Sequence, residues 1–199
     1  MSHEAAVAAA MTDTTTAILD AALDEVLAHG IRRTSISDIA RRCGIARQTL
    51  YRYWPDAQSL FAAVVTRELV DVLPGDGAGG ASLDDLVRML VGTADRIRSM
   101  PLMARLRDTD PELLSRYVLE RLGTSQYVIH ADLACRIDRG QAAGFVRAGE
   151  PDSMAAMVLL IAQSAVQSAP LVDEWLDDDA WARELSHALT GYLRTDVAP

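Results

Sequence analysis

The chain has no lysine. All 19 of its basic side chains are arginines, so every positive charge outside the histidines is a guanidinium that stays protonated at any working pH. Cysteine is almost absent too. Cys43 and Cys135 are too few for a disulfide framework or a four-thiolate zinc site. The four histidines, His3, His29, His130 and His187, form no H-x-x-x-H pair, and no nucleophile-elbow spacing occurs. Glycines cluster at one place only, without the lysine of a phosphate loop. We therefore expect no cofactor, no metal and no enzyme. The longest unbroken apolar run, Met154 to Ala162, is about half of the roughly 20 residues a bilayer requires, so no membrane partner is expected. An alanine-rich start, Ala5 to Met11, follows Glu4 rather than a basic cluster, which argues against a signal peptide and for the cytoplasm.

What is present is 50% hydrophobic residues in 199, enough to bury a core, and a net charge of −9. The charge is unevenly spread. Between Gly30 and Pro55 lie six arginines (Arg32, Arg33, Arg41, Arg42, Arg47, Arg52) and one acid, Asp38. That segment has a surplus of five positive charges, and the rest of the chain carries −14. A basic segment on an acidic body is the footprint expected of a nucleic-acid reader, although solvated helix faces would give the same count.

Apolar spacing reads as helix throughout. Leu19, Ala22, Leu23, Val26 and Leu27 repeat on one helical face, with Gly30 as the stop and Thr12 or Asp13 as the start. Ser35 to Asp38 reads as a capping box for a short helix from Ile36 to about Arg42. Cys43-Gly44-Ile45 supplies a tight turn, and a second short helix follows from Ala46 to about Tyr53. Pro55 stops it, and Asp56 caps a longer helix through Leu69. Pro74 to Gly80, with four glycines, reads as a flexible link. Further helices are predicted from Ser82 to Ser99, Pro111 to about Arg139, Asp152 to Ser168 and Asp178 to Leu193, with Asp110 capping the second of these. The predicted fold is all-α. It comprises a disordered tail (1–11), a three-helix helix-turn-helix domain (12–73), a glycine-rich link (74–81) and a second helical domain (82–199), to which the family resemblance described below assigns ligand binding and dimerisation.

The two short helices joined by a glycine turn carry the functional chemistry. A recognition helix must fit the major groove, about 12 Å wide, and present groups that match base edges. Arg47, Gln48, Thr49 and Arg52 provide such groups: Arg for guanine, Gln for adenine, Thr for the thymine methyl. Leu50, Ile39, Ile45 and Trp54 are expected in the core, and Cys43 as a small turn-packing side chain rather than a redox sensor.

Three blocks, Thr34-Ser35-Ile36-Ser37-Asp38-Ile39-Ala40, Cys43-Gly44-Ile45 and Thr49-Leu50-Tyr51-Arg52-Tyr53-Trp54-Pro55, resemble the DNA-binding signature of TetR/AcrR-type one-component repressors. The likeness covers roughly Thr12 to Leu69. It implies that Thr34 and Ser35 contact phosphate, that Arg47, Gln48, Thr49 and Arg52 face bases, and that Tyr51 and Tyr53 meet the backbone or a thymine methyl. Three positions depart from the pattern. Ala46 stands where a capping serine is usual, Gln48 where glycine is common, and Ala57 where a lysine often follows Trp54-Pro55. The resemblance also implies a homodimer, a double-stranded DNA operator and a small-molecule effector bound in the C-terminal half. A competing reading of the residues alone is a helical ligand-binding or protein-interaction module without operator binding.

In that half, the helix containing Met154 to Ala165 is apolar on nearly all sides, so one face meets its own core and another wants a partner. With small residues on the last helix, this points to a four-helix homodimer interface made of Ala155, Leu159, Trp181, Leu185, Ala188, Leu189 and Tyr192. Effector-lining candidates are Met89, Met100, Met103, Tyr117, Tyr127, His130, Gln163, Gln167 and Trp175, with Arg105 and Arg107 available to an anionic ligand.

Overall fold

A computed structural model describes residues 3–75, 78–112 and 123–195, with side chains from residue 13 onward. Among these residues there is no strand. The helices are α1 (His3–His29), α2 (Ile36–Arg42), α3 (Arg47–Tyr53), α4 (Ala57–Asp71), α5 (Leu83–Arg98), α6 (Pro101–Thr109), α7 (Thr124–Ala142), α8 (Pro151–Ser168) and α9 (Asp178–Leu193), with short 3-10 turns at Ile31–Arg33 and Ala169–Leu171. From His3 on, the expected tail is helix. Alanine at positions 5, 6, 8, 9 and 10 has the best helix propensity of any residue, so Thr12 and Asp13 lie inside α1 instead of capping it.

The sequence also misplaces one helix. Between the predicted helices ending at Ser99 and starting at Pro111, Pro101 opens α6, where its missing N–H is harmless. The long helix predicted from Pro111 to Arg139 is instead interrupted before α7, whose first residue is Thr124. The chain then ends its helices close to expectation: Ser82 caps α5 through the Asp85 N–H, and Asp177 caps α9 through the Ala180 N–H.

Two compact units result. One comprises Met1–Glu68 with Pro101–Gly123, the other Leu69–Met100 with Thr124–Pro199. A single cut near Leu73 therefore misassigns Pro101–Gly123, and the cause is local to the first unit. The Asp110 carboxylate has no solvent exposure and accepts the N–H groups of Ile31 (2.9 Å) and Arg32 (3.3 Å) and the Thr109 hydroxyl (2.7 Å). Arg105, on the same helix as Thr109, donates to the Ala28 carbonyl at 2.5 Å, capping the end of α1. Gly30 lies between these contacts with φ +79°, and a Cβ there would stand 2.7 Å from the Thr109 hydroxyl oxygen. Ile18, Ala22, Val26, Ile39, Leu50, Leu60 and Val64 form this unit's buried interior.

In the second unit, Leu86, Val87, Ile137, Val158, Trp181, Leu189 and Leu193 belong to one core. The glycine-rich stretch is not a free link. Arg136, 4% exposed, pairs with Asp132 at 2.7 Å and donates to the carbonyls of Pro74 (2.8 Å) and Ala78 (2.5 Å). A buried guanidinium requires acceptors, and the carbonyls left open by a glycine-rich turn supply them. Pro151–Leu171, with mean hydropathy 1.5, is long and apolar enough to cross a bilayer, a length the unbroken-run count missed. Here Met154, Ala155, Val158 and Val166 of that stretch are packed into the core, while Met157 and Leu160 are exposed and 28% of the stretch is buried.

Removing the Asp110 carboxylate takes the acceptor from two part-buried backbone N–H groups and from the Thr109 hydroxyl. Asp110→Ala is expected to lower stability by about 3 kcal/mol in a urea titration, with Asp110→Asn intermediate because its amide oxygen keeps one acceptor.

Candidate nucleic-acid interface

The first unit presents a short helix on a turn. Ser35 caps α2: its hydroxyl accepts the Asp38 N–H at 3.1 Å and donates to the Asp38 carboxylate at 2.5 Å. Asp38 thus reaches back to the hydroxyl, not to the backbone N–H that a capping box would use. The Ser35 hydroxyl and the Arg41 guanidinium, 2.6 Å away, hold the Asp38 carboxyl below the ordinary aspartate value. After α2 the Ile45 N–H returns to the Ala40 carbonyl (3.0 Å), and Gly44 takes φ +65°. That conformation costs a residue with a Cβ, and glycine adopts it freely.

Burial of Leu50 (0% exposed) seats α3 on α2. Outward from it, Arg47, Gln48, Tyr51 and Arg52 are exposed, while Thr49 and Tyr53 are half-buried. The Arg47 guanidinium donates to the Tyr51 hydroxyl at 2.7 Å and stands 5.2 Å from that ring's centre. Arg52 stacks over Tyr53 at 5.5 Å, and Tyr53 in turn packs on Trp54 with ring centres 5.8 Å apart. Ala46 occupies the cap position of α3 with an extended backbone and offers no side-chain acceptor to the first turn.

Thr34, expected at phosphate, is buried, and its hydroxyl donates to the Gly30 carbonyl at 2.8 Å, closing the turn after α1. Ser35 remains exposed. The surplus of basic charge also divides. Arg32 pairs with Asp110 and Glu112, Arg41 with Asp38, and Arg42 with Asp24 (2.7 Å) and Glu25 (3.1 Å). Among the described residues, Arg33, Arg47 and Arg52 have no carboxylate partner, so the unneutralised charge lies largely on α3. Burial pushes the Cys43 thiol up from its ordinary value, and its sulfur donates to the Ala17 carbonyl at 3.6 Å, which fits turn packing and not redox sensing.

The ligand and dimer candidates scatter. Met89, His130, Gln163 and Gln167 are partly buried in the second unit, whereas Met100 ends that unit's first segment and Met103 lies on α6 in the first unit. Tyr117 falls outside the described residues. Tyr127 (64% exposed) and Trp175 (76% exposed) lie on the surface and line no interior. Of the dimer set, Ala155, Trp181, Leu185 and Leu189 are buried in their own core, and Leu159 and Tyr192 pack against it; only Ala188 is exposed. The helical period of this set holds, but a period does not say which face meets a partner. The exposed large apolar side chains of this unit are Tyr127, Val128, Met157, Leu160, Leu171 and Trp175. Asp110, expected as a helix cap, and Arg105, expected to be available to an anionic ligand, instead hold the end of α1, a role hidden from the sequence because their partners lie almost 80 residues away.

A family profile described as bacterial regulatory proteins, tetR family, matches residues 18–64. An uncharacterized HTH-type transcriptional regulator of Mycobacterium tuberculosis is 45% identical over 181 residues, 91% of this chain and 95% of that one. The fold is shared with a TetR-family transcriptional regulator from Pectobacterium atrosepticum (TM-score 0.68, 23% identity, 96% and 98% of the two chains). It is also shared with SmeT in a SmeT–triclosan complex (TM-score 0.63, 20% identity, 93% of each chain).

Ala46→Ser supplies the missing acceptor to the first turn of α3. It should stabilise the chain by about 1 kcal/mol and raise the melting midpoint in calorimetry. In an NMR titration the Asp38 carboxyl should protonate below the range of an unperturbed aspartate, near 3.9, and Ser35→Ala should move it up. Because the folded value is the lower one, the cap stabilises at neutral pH and is lost as pH falls through that folded value.

Proposed function

The chain belongs to the tetR family of bacterial regulatory proteins and is a transcriptional regulator rather than an enzyme, and from that premise we propose that it is a repressor released from its operator by a small molecule. The observation that carries the reading is α3 itself, a short helix whose exposed side presents Arg47, Gln48, Tyr51 and Arg52 with no carboxylate on either free arginine. Thr49, Tyr53 and Ser35 flank that side and complete the set that would contact a duplex in the cytoplasm.

A homodimer follows from the same reading. Two recognition helices must meet successive major grooves about 34 Å apart, or a multiple of that, and one copy supplies one helix. The exposed Met157 and Leu160 on α8, with Leu171 and Trp175 beyond it, are the apolar surface we assign to the self-contact in place of Trp181, Leu185 and Leu189. The effector would bind in the second unit, where Met89, His130, Gln163 and Gln167 are partly buried candidates. That SmeT is known in complex with triclosan supports a small organic molecule as the class. Effector and DNA then oppose each other by linkage, each favouring a conformation that binds the other less well.

A mobility-shift assay on the chain's own upstream DNA, at several salt concentrations, tests this. The expected result is a sequence-dependent shift with a steep salt slope, abolished in the double variant Arg47→Ala, Arg52→Ala. Equal binding to every duplex at every salt concentration would leave a helical binding module without an operator.

A further inference from the structure

Within α3 the two free arginines occupy different faces. At 3.6 residues per turn each residue advances about 100°, so with Leu50 marking the buried direction, Gln48 and Arg52 both point about 160° away from it. They are four residues apart and form one outermost ridge. Arg47 leaves the helix only about 60° from Leu50, on a flank, and Tyr51 lies about 100° away on that same flank. The Arg47 guanidinium does not swing round to the ridge. It is drawn to the Tyr51 hydroxyl at 2.7 Å and lies beside that ring. The alignment of its remaining donors is thereby set by a tyrosine on the flank, where a helix lying in the major groove faces a sugar–phosphate strand and not the base pairs.

We propose that the DNA-contacting residues of α3 divide their work: Gln48 and Arg52 read base edges from the ridge, while Arg47, positioned by Tyr51, grips phosphate and carries no sequence information. This corrects the expectation that Arg47 faces bases, and it rests on the operator-binding reading above. The physical consequence is a difference in kind. Removing a base reader should relax one position of the operator, whereas removing a phosphate ligand should weaken binding to all sequences alike and reduce the salt dependence.

The test uses the full chain and a duplex recovered by selection from a random pool, together with its single-base variants, with affinity measured by fluorescence anisotropy across salt concentrations. Arg47→Ala is expected to keep the ranking of all duplexes and to lower the salt slope by about one. Arg52→Ala and Gln48→Ala are each expected to flatten a preference of about tenfold at a base position. Tyr51→Phe, which keeps the ring and removes the tether, should weaken binding with the ranking intact and add nothing further in the Arg47→Ala background. If Arg47→Ala flattens one base position with the slope unchanged, or if Tyr51→Phe weakens Arg47→Ala as much as it weakens the original chain, the division is wrong. A selection that yields no preferred sequence overturns the operator-binding reading and this inference with it, whereas a preferred sequence read by Arg47 overturns the inference alone.

Discussion

A carboxylate with no exposure to water must have its charge answered on the spot, and the Asp110 side chain is answered by the backbone of Ile31 and Arg32 and the hydroxyl of Thr109. Much else in the first unit follows from that. The turn after α1 is fixed, its carbonyl at Gly30 takes the Thr34 hydroxyl, and the entry to α2 at Ser35 is set from behind. With Arg105 holding the Ala28 carbonyl, the end of α1 is clamped on its N–H side and its C=O side by residues of one segment. That is why Pro101–Gly123 belongs with a reader whose other residues end at Glu68. The glycine at position 30 is required twice over, by its backbone angle and by the nearness of Thr109.

The reading helices were legible because their determinants are local. Caps, a glycine turn and one buried leucine act within four or five residues of one another, so Ser35, Gly44, Leu50 and Asp56 announce α2, α3 and α4 directly. What sequence could not give is a partner far along the chain. Asp110 looked like a helix cap, and the Pro74–Gly80 stretch looked like a tether until Arg136, some 60 residues on, occupied its carbonyls. Exposure was the second blind spot. Trp181 and Trp175 both sit in the C-terminal half, yet one is a core residue and the other a surface residue, and helical spacing could not separate them.

Charge shows the same lesson in another form. Six arginines in one basic segment suggested a uniformly positive head, but half of them are matched to acids that lie in the first unit. The pairs at Arg41 and Arg42 are solvent-exposed and worth little as stabilisers. Their larger effect is to quiet the surround, so that the positive potential concentrates on a helix of seven residues.

The free charges of that helix have one more property. A guanidinium does not titrate within the physiological range, and with lysine absent from the chain there is no side-chain amine that acetylation could neutralise. The cell therefore has no chemical dial on the strength of this grip through acid or through lysine modification. On the proposed reading, control of DNA occupancy would then rest on geometry: where the two helices of a dimer stand, and how far apart.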